Sequence, residues 1–210
     1  ICTVKKDIPF PAVLGRICTA PCEKVCRREQ IDEALSICLL KRFVADLDLE
    51  SKEPYQPACR QTTGKKAAIV GAGPCGLSAA YYLKQAGIDC VLFDCHEKPG
   101  GSLYYGDIDS HLLPLNVVEK EIAQIMKLGI EFRGNICIGR DMSMAQLQKQ
   151  FDVILLAVGD LNGEMSDLFD VEIKDNKIKV VHPEYAASRQ NIFAAGACIG
   201  SKNLMIRAEI

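Results

Sequence analysis

The chain has 210 residues and a formal net charge of −2 at pH 7, a length that suits one domain with an appendage. This charge gives no electrostatic basis for binding nucleic acid or an anionic membrane. No apolar run reaches the roughly 18 residues of a membrane-spanning helix. The eleven cysteines, an odd number, argue against a disulfide framework and for a reducing, cytoplasmic compartment. Because the chain begins with Ile1 rather than Met, we expect a piece of a longer protein.

The N-terminal part is predicted to be loop-like over residues 1–17 and then carries cysteines. Cys18, Cys22 and Cys26 are spaced C-x3-C-x3-C. We predict that Pro21 starts a short helix that places the last two thiols on one face. Zinc usually uses C-x2-C pairs, so this spacing suits an iron–sulfur cluster better. A zinc site and a metal-free segment stay open as alternatives.

A helix is predicted over residues 32–48, followed by a polar linker over residues 51–65. Its predicted apolar side consists of Leu35, Cys38, Leu39, Phe43 and Leu47. Cys38 is interpreted either as a core thiol or as a fourth cluster ligand. Cys2 is the rival fourth ligand.

Residues 66–101 carry the pattern of a βαβ unit. An apolar strand is predicted over 67–70, a helix over 77–85, and a second strand over 90–93 that ends on Asp94. A GxGxxG sequence joins the first strand to the helix, as in a dinucleotide-binding fingerprint. The carboxylate lies where it can accept hydrogen bonds from an adenosine ribose.

Each glycine of this fingerprint has a distinct physical role. Gly71 permits the tight turn, Gly73 lets the backbone approach a pyrophosphate, and Gly76 lets the helix pack against the strand. A second pair, Gly100 and Gly101, follows the acidic strand end. This pair resembles flavoprotein reductases that bind FAD, although a plain turn is the alternative.

The remaining pattern alternates helices and strands and predicts an α/β fold. The predicted elements are a helix over 115–128, strands over 130–132 and 136–138, a helix over 144–150, a strand over 151–158, a hairpin over 171–181, a strand over 191–196 and a helix over 203–210. His96, His111 and His182 are scattered and are interpreted as surface or loop histidines. No catalytic acid or base stands out.

The segments GRICTAPCEKVC, AIVGAGPCGLSAAYYLKQAG, EKPGG, FDVILLAVG and NIFAAG occur in this order. Together they resemble the small (β) chain of glutamate synthase and its relatives, including the N-terminal part of dihydropyrimidine dehydrogenase. The resemblance implies a helical iron–sulfur domain over 1–50 and a Rossmann-like FAD-binding domain of the glutathione-reductase type over 66–210. It also implies an oxidoreductase that passes electrons between NAD(P)H, FAD and 4Fe–4S clusters.

Carried over by position, the resemblance implies two sets of cofactor ligands. The FAD set is Gly71, Gly73, Pro74, Cys75, Gly76, Asp94, Cys95, Gly100, Gly101, Gly196 and Ala197. The cluster set is Cys18, Cys22 and Cys26. The family's last cluster ligand appears in this sequence as Lys41, which is not a usual ligand. Cys38 lies one turn earlier and could complete the cluster, which is a hypothesis.

The sequence departs from the family at two further places. The family inserts an NAD(P)H-binding domain, on the order of 100 residues, where this chain has roughly thirty residues between 160 and 190 and no second GxGxxG. We therefore expect no NAD(P)H site. Ala197 replaces an aspartate of the second FAD motif, a loss that weakens FAD binding by about ten- to a hundredfold.

These observations favour an electron-transfer flavoprotein module that works with a redox partner subunit or domain. A scaffold subunit that has lost its cofactors is one alternative, because Lys41 and Ala197 replace family ligands. A piece of an NAD(P)H-dependent reductase is the other.

Overall fold

The computed structural model describes residues 1–161 and 168–200. The described chain forms two compact units. The first, called unit 1, consists of residues 1–57 and 108–124; the rest of the described chain is unit 2. The helix predicted over 203–210 lies outside the described residues. The domain boundaries at residues 50 and 66 stay a prediction.

Unit 1 is helical, but its helices differ from those predicted. The helices are α1 (Cys2–Asp7), α2 (Pro11–Ile17), α3 (Ile37–Glu50) and most of α6 (Leu115–Met126), with a short 3-10 helix at Arg27–Gln30. The prediction of a loop over 1–17 is wrong, because Pro11 occupies the first turn of α2, where a proline costs no hydrogen bond. The helix predicted at Pro21 is also wrong, since residues 21–25 form turns.

Helix α3 begins at Ile37, five residues later than predicted, and of the predicted apolar side only Cys38 packs against α2. Phe43 is 62% exposed, whereas Ala45 is 1% exposed. The reason is the close approach of α2, because a Cβ added at Gly15 would lie 2.6 Å from the Cβ of Arg42. Small residues allow the two helix backbones to meet there, so the bulky side chains of α3 face outward.

Unit 1 also buries three ionisable side chains. The Lys5 Nζ donates to Asp48 Oδ2 at 2.8 Å, and both side chains are almost fully buried. The two carboxylate oxygens of Glu121 accept the N–H groups of Ala12 and Val13 at 2.9 and 2.8 Å. These backbone N–H groups belong to the first turn of α2, which has no partners for them within the helix.

Unit 2 contains a five-stranded parallel sheet with the order β3-β2-β1-β4-β7. The strands are β1 (Lys66–Val70), β2 (Asp89–Phe93), β3 (Glu131–Arg133), β4 (Val153–Leu156) and β7 (Ile192–Ala194). Its helices are α4 (Pro74–Gln85), α5 (Ser102–Tyr105) and α7 (Met144–Gln150). The predicted α/β, Rossmann-like fold is confirmed. Strands β2 and β4 flank β1, so the strand order changes direction at the carboxyl end of β1.

The smaller elements of unit 2 agree only in part with the prediction. The hairpin is confirmed as β5 (Ile173–Lys174) and β6 (Lys177–Ile178). Its two turn residues both have positive φ, as a two-residue hairpin turn requires. The strand predicted over 136–138 is not formed, and Ile138 makes only an isolated bridge.

One pair of cysteines in unit 2 is joined. Cys95 and Cys137 form a disulfide with their Cα atoms 4.6 Å apart. The odd cysteine count argues against a disulfide framework, so this pair is a correction to that expectation. The chain brings the two residues together because residues 133–137 run beside the end of β2, where the Ile136 N–H donates to the Asp94 carbonyl.

No helix in residues 1–161 or 168–200 combines the length and the apolar composition that crossing a membrane requires.

Candidate cofactor sites

Two fingerprint glycines stand where any side chain would collide with backbone. Gly71 has a φ of 102°, and a Cβ there would lie 2.2 Å from the Ala157 carbonyl oxygen. A Cβ on Gly76 would lie 1.9 Å from the Gly71 oxygen. The sequence predicts both roles, but the neighbour Ala157 comes from the end of β4 and carries no sequence signal.

The two glycine-rich loops meet backbone to backbone. A Cβ on Gly101 would lie 2.5 Å from the Gly73 Cα, and the Gly100 N–H donates to the Ala72 carbonyl at 2.8 Å. Gly73 itself has room for a Cβ, which would lie 3.7 Å from the Gly101 Cα. The open space beside Gly73 is therefore a place where a ligand can approach the backbone closely.

The loops at residues 71–76 and 100–101 together form what we call the glycine cradle. Helix α4 starts directly at this cradle. Pro74 lies in its first turn, and Cys75 and Gly76 follow. The N–H groups of a first helical turn have no partner within the helix, and the dipole gives this end a positive potential. Burial raises the pKa of the Cys75 thiol, so this side chain stays neutral. The arrangement suits the two negative charges of a pyrophosphate.

Asp94 has a structural role that the sequence does not reveal. Its Oδ2 accepts the Ala72 N–H at 2.7 Å, and its Oδ1 accepts the His96 backbone N–H at 2.9 Å. The His96 ring Nδ1 lies 2.8 Å from the same Oδ1. A carboxylate offers about four acceptor positions, so Oδ2 keeps one position for a ribose hydroxyl. His96, interpreted from sequence as an unremarkable surface histidine, therefore helps to orient the acid.

The second predicted FAD motif also reaches the fingerprint. Gly196, at a φ of 87°, follows β7, and a Cβ there would lie 3.1 Å from the Cys75 Sγ. Ala197 begins a short 3-10 helix that contains Cys198. Burial raises the pKa of the Cys198 thiol to about 11. Ala197 and Cys198 thus bring no charge to the site.

The N-terminal cysteines lie in unlike surroundings. Backbone hydrogen bonds, that of Leu35 first and then those of Arg28 and Glu29, lower the pKa of the half-buried Cys26 thiol. Cys22 is exposed. The Cys18 Sγ accepts the backbone N–H of Ala20 at 3.4 Å. Hydrogen bonds from backbone N–H groups to sulfur stabilise a thiolate, so the donor chemistry at Cys26 fits an iron–sulfur ligand.

Cys38 makes the contacts of a neutral thiol. Its Sγ lies 3.6 Å from the Leu14 carbonyl oxygen and 3.7 Å from that of Gly15, at the end of α2. Burial raises the pKa of Cys38. The Sγ also lies 4.0 Å from the Cys18 carbonyl oxygen, so these two cysteines are neighbours. As a cluster ligand, Cys38 would give up its contacts with the end of α2.

The structure does not gather the predicted cluster ligands into one site. Within residues 1–161 and 168–200, no three His, Cys, Asp or Glu side chains converge as a metal site requires. Cys2, the rival fourth ligand, is exposed in α1. The ligand set therefore stays a prediction.

Two family models match the chain. Residues 1–53 match the model described as dihydropyrimidine dehydrogenase domain II, 4Fe-4S cluster. Residues 69–124 match the model of an NAD(P)-binding Rossmann-like domain. The matches support an iron–sulfur domain in the N-terminal part and a nucleotide-binding fold around the glycine cradle.

Parts of several oxidoreductases are similar to the chain. The β subunit of NADP(+)-dependent formate dehydrogenase from Moorella thermoacetica is 38% identical over an alignment that covers 74% of this chain and 25% of that protein. The NADPH glutamate synthase small chain of Bacillus subtilis is 39% identical, covering 71% and 30%. A PreT homologue from Salmonella typhi, a subunit of NAD-dependent dihydropyrimidine dehydrogenase, is 34% identical, covering 80% and 41%.

These relatives confirm the resemblance to the glutamate synthase small chain and the dihydropyrimidine dehydrogenase subunits. The chain spans less than half the length of each of the three.

The expectation that the chain has no NAD(P)H site is contradicted by the match of residues 69–124 to an NAD(P)-binding model. The physical reason is that a GxGxxG loop contacts the pyrophosphate and the adenosine, which FAD and NAD(P) share. The lack of a second GxGxxG sequence therefore does not exclude binding of a nicotinamide nucleotide.

Proposed function

We propose that this chain is an electron-transfer module of a larger enzyme. Both of its parts are similar to parts of known oxidoreductases. Unit 2 binds FAD at the glycine cradle, and the N-terminal cysteines bind a 4Fe–4S cluster. When bound, FAD converts two-electron into one-electron transfer, which a cluster can carry onward.

The observation that carries the FAD assignment is the meeting of two glycine loops at the carboxyl end of β1. Gly73 and Gly101 approach within backbone contact, and the start of α4 points at the same place. A single fingerprint serves any dinucleotide, whereas the added glycine pair at 100–101 is the feature that resembles flavoproteins. The Asp94 carboxylate binds the ribose while it holds the Ala72 N–H.

The chain's own residues position the nucleotide and do not take part in the chemistry. First-turn N–H groups of α4 hold the pyrophosphate, and Gly73 allows its close approach. The pKa values of the Cys75 and Cys198 thiols are raised, so these thiols are neutral and add no negative charge near the phosphates. Ala197 leaves the flavin side without a carboxylate, so we expect FAD to bind more loosely than with an aspartate there.

For the cluster we propose Cys18, Cys22 and Cys26 as ligands, with Cys38 or Cys2 as the fourth. Cluster binding would draw the thiols of Cys18, Cys22 and Cys26 together, because metal sites and local folding form together. The lowered pKa of Cys26 favours this residue as a first point of attachment, since a thiolate is the binding form.

A module of this kind exchanges electrons with a redox partner, and the names of two relatives describe them as subunits. The many cysteines still predict a reducing, cytoplasmic compartment.

A second candidate uses the same cradle for NAD(P)(H), as part of a nicotinamide-dependent reductase. The match of residues 69–124 to an NAD(P)-binding model favours it. Competition between FAD and NADPH for the purified chain distinguishes the two, because each assignment expects a different nucleotide to bind more tightly.

The test is an absorption spectrum of anaerobically purified chain, with iron, sulfide and extracted flavin quantified. Flavin bands with about four irons per chain would support the module. If Cys38 is the fourth ligand, a Cys38→Ser variant should then lose iron, while Cys59→Ser, a change of an exposed cysteine in the linker, should not. Full iron content in Cys38→Ser would eliminate Cys38 as a ligand. A protein that stays colourless after reconstitution with FAD, iron and sulfide would leave the scaffold hypothesis.

A further inference from the structure

The Cys95–Cys137 disulfide lies directly beside the residue that organises the nucleotide cradle. Cys95 follows Asp94 in sequence, and the Ile136 N–H next to Cys137 donates to the Asp94 carbonyl at 2.9 Å. One residue farther on each side, the Asn135 N–H donates to the His96 carbonyl at 3.0 Å. The disulfide therefore fastens the segment that carries Asp94 to the segment that follows β3.

This pair differs from the other cysteines of the chain. All eleven cysteines lie in the described residues, and the other nine form no disulfide. Cys95 is exposed and Cys137 is half-buried, so an external thiol can reach the first sulfur more easily than the second. Disulfides that are exposed are typically the labile, reversible ones.

A cation stands beside the less accessible sulfur. The Arg140 guanidinium nitrogen Nη2 lies 3.2 Å from the Cys137 Sγ. The same guanidinium also contacts Asp141 at 3.3 Å, and the Asp141 Oδ2 accepts the Cys137 N–H at 2.8 Å. A charge-assisted hydrogen bond from Arg140 would stabilise a thiolate that departs from Cys137, and a better leaving group speeds exchange.

We propose that Cys95 and Cys137 form a thiol–disulfide exchange site for small or protein dithiols, and that its redox state sets the order of the Asp94 segment. A dithiol's thiolate attacks the Cys95 sulfur, which breaks the Cys95–Cys137 bond and releases the Cys137 thiolate beside Arg140. The second thiol of the reductant, as a thiolate, attacks the mixed disulfide and releases Cys95. The reductant ends as a disulfide, its two protons pass to Cys95 and Cys137, and two electrons have moved to the protein pair.

The consequence for the cradle follows from the contacts of Asp94. Its Oδ2 holds the Ala72 N–H between the two first fingerprint glycines, and the Ala72 carbonyl accepts the Gly100 N–H. Opening the disulfide removes the covalent link one residue away, so the Asp94 side chain should release Ala72 more often. This site goes beyond the proposed function, and only its effect on nucleotide affinity rests on that function.

The first experiment follows reduction of the purified chain by dithiothreitol, with alkylation at timed intervals and peptide mass spectrometry. Cys95 and Cys137 should become labelled together, and exposed Cys59 should be labelled from the start. Arg140→Gln should slow reduction by roughly tenfold, the low end of what a hydrogen bond to a charged group contributes, while Arg140→Lys should retain much of the rate. Arg189→Gln, which removes an arginine that binds Asp170 and not Cys137, should have no effect. Labelling of both cysteines in the air-oxidised chain before any reductant is added, or an unchanged rate in Arg140→Gln, would overturn the proposal.

The second experiment measures amide hydrogen exchange of Ala72 before and after reduction, without nucleotide. Exchange should become about tenfold faster, because the hydrogen bond to Asp94 opens more readily. The Ala195 amide, which donates to the Leu156 carbonyl on the far side of the sheet, is the control. A Cys95→Ser/Cys137→Ser double variant should match the reduced protein. Equal Ala72 exchange in both redox states would overturn the link to the cradle, and this result does not depend on whether FAD binds.

Discussion

At the scale of single residues, Glu121 is a carboxyl group that the fold holds almost entirely out of water. It is 2% exposed, and burial raises its pKa to about 7 although the Ala12 and Val13 N–H groups favour the anion. Because the folded pKa lies above the unfolded value, the folded state binds the proton more tightly. The resulting stabilisation is fully present below about pH 4.5 and is lost as the pH rises through 7.

We predict that Glu121→Gln removes this pH dependence. A shift from 4.5 to about 7 corresponds to about 3 kcal/mol in the free energy of unfolding. The variant keeps one oxygen acceptor and loses the titrating group, so the stability difference between pH 5 and pH 8 should shrink by most of that amount. Urea unfolding at both pH values checks it, with the exposed neighbour Glu119→Gln as the control. An unchanged difference in Glu121→Gln would show that the group does not titrate as stated.

An added methyl group should affect FAD binding at Gly73 and the stability of the fold at Gly76. Gly76→Ala places a Cβ 1.9 Å from a backbone oxygen, whereas Gly73→Ala meets only ordinary contact at 3.7 Å. We expect Gly73→Ala to fold with normal stability and to bind FAD at least about tenfold more weakly, because the methyl group fills the space of the pyrophosphate.

Gly76→Ala should instead lower the free energy of unfolding, since backbone must move to relieve the clash. Thermal unfolding and FAD fluorescence titration separate the two results. Normal FAD affinity in a folded Gly73→Ala variant would argue against this cradle as the FAD site.

At the scale of whole elements, α3 shows where a hydrophobic pattern misleads. Its large apolar residues repeat at helical spacing, which predicts that this side faces a core. The structure buries the side with Ala45 instead, because close helix packing depends on small residues in the partner, here Gly15 of α2. That partner is distant in sequence, so periodicity alone cannot identify it.

The exposure of α3 leads to a prediction on stability. Phe43→Glu replaces a side chain that is 62% exposed with a good helix former, so it should change the free energy of unfolding by less than about 0.5 kcal/mol. Ala45→Glu on the buried side should cost at least about 3 kcal/mol, because it buries an unpaired charge. Denaturant midpoints of the two variants check this prediction. A strongly destabilised Phe43→Glu would mean that the predicted apolar side is the packed one.

The βαβ unit was predictable because its signals are local. The strand β1, the glycine spacing and Asp94 lie within thirty residues of one another, and each element follows directly from the previous one. Helix α4 starts earlier than predicted only because Pro74 fits its first turn. The contacts of Gly71 with Ala157 and of Cys75 with Gly196 join segments about 85 to 120 residues apart. Such contacts depend on the sheet order, which no local pattern contains.

At the scale of the whole molecule, the chain has two units with different kinds of stabilisation. Unit 2 has a continuous apolar core around its parallel sheet, including Phe93, Ile154 and Leu156. Unit 1 packs its helices around side chains such as Phe10 and Ile17 and also buries polar contacts, such as Lys5 with Asp48. A small unit gains most from a bound metal cluster, which agrees with placing the cluster there.

This difference predicts where each cofactor protects the backbone. A ligand present at about 100 times its Kd stabilises the state that binds it by about 2.7 kcal/mol. FAD should therefore slow amide exchange at residues 71–76 and 94–101, and cluster reconstitution should slow it at residues 18–26. The hairpin at residues 173–178 is the control for both. Exchange measured by mass spectrometry under anaerobic conditions, with each cofactor added alone, makes the comparison. FAD protection that omits residues 71–76, or cluster protection that omits residues 18–26, would contradict the proposed division, because the N–H groups of those segments are the ones that each cofactor is expected to order.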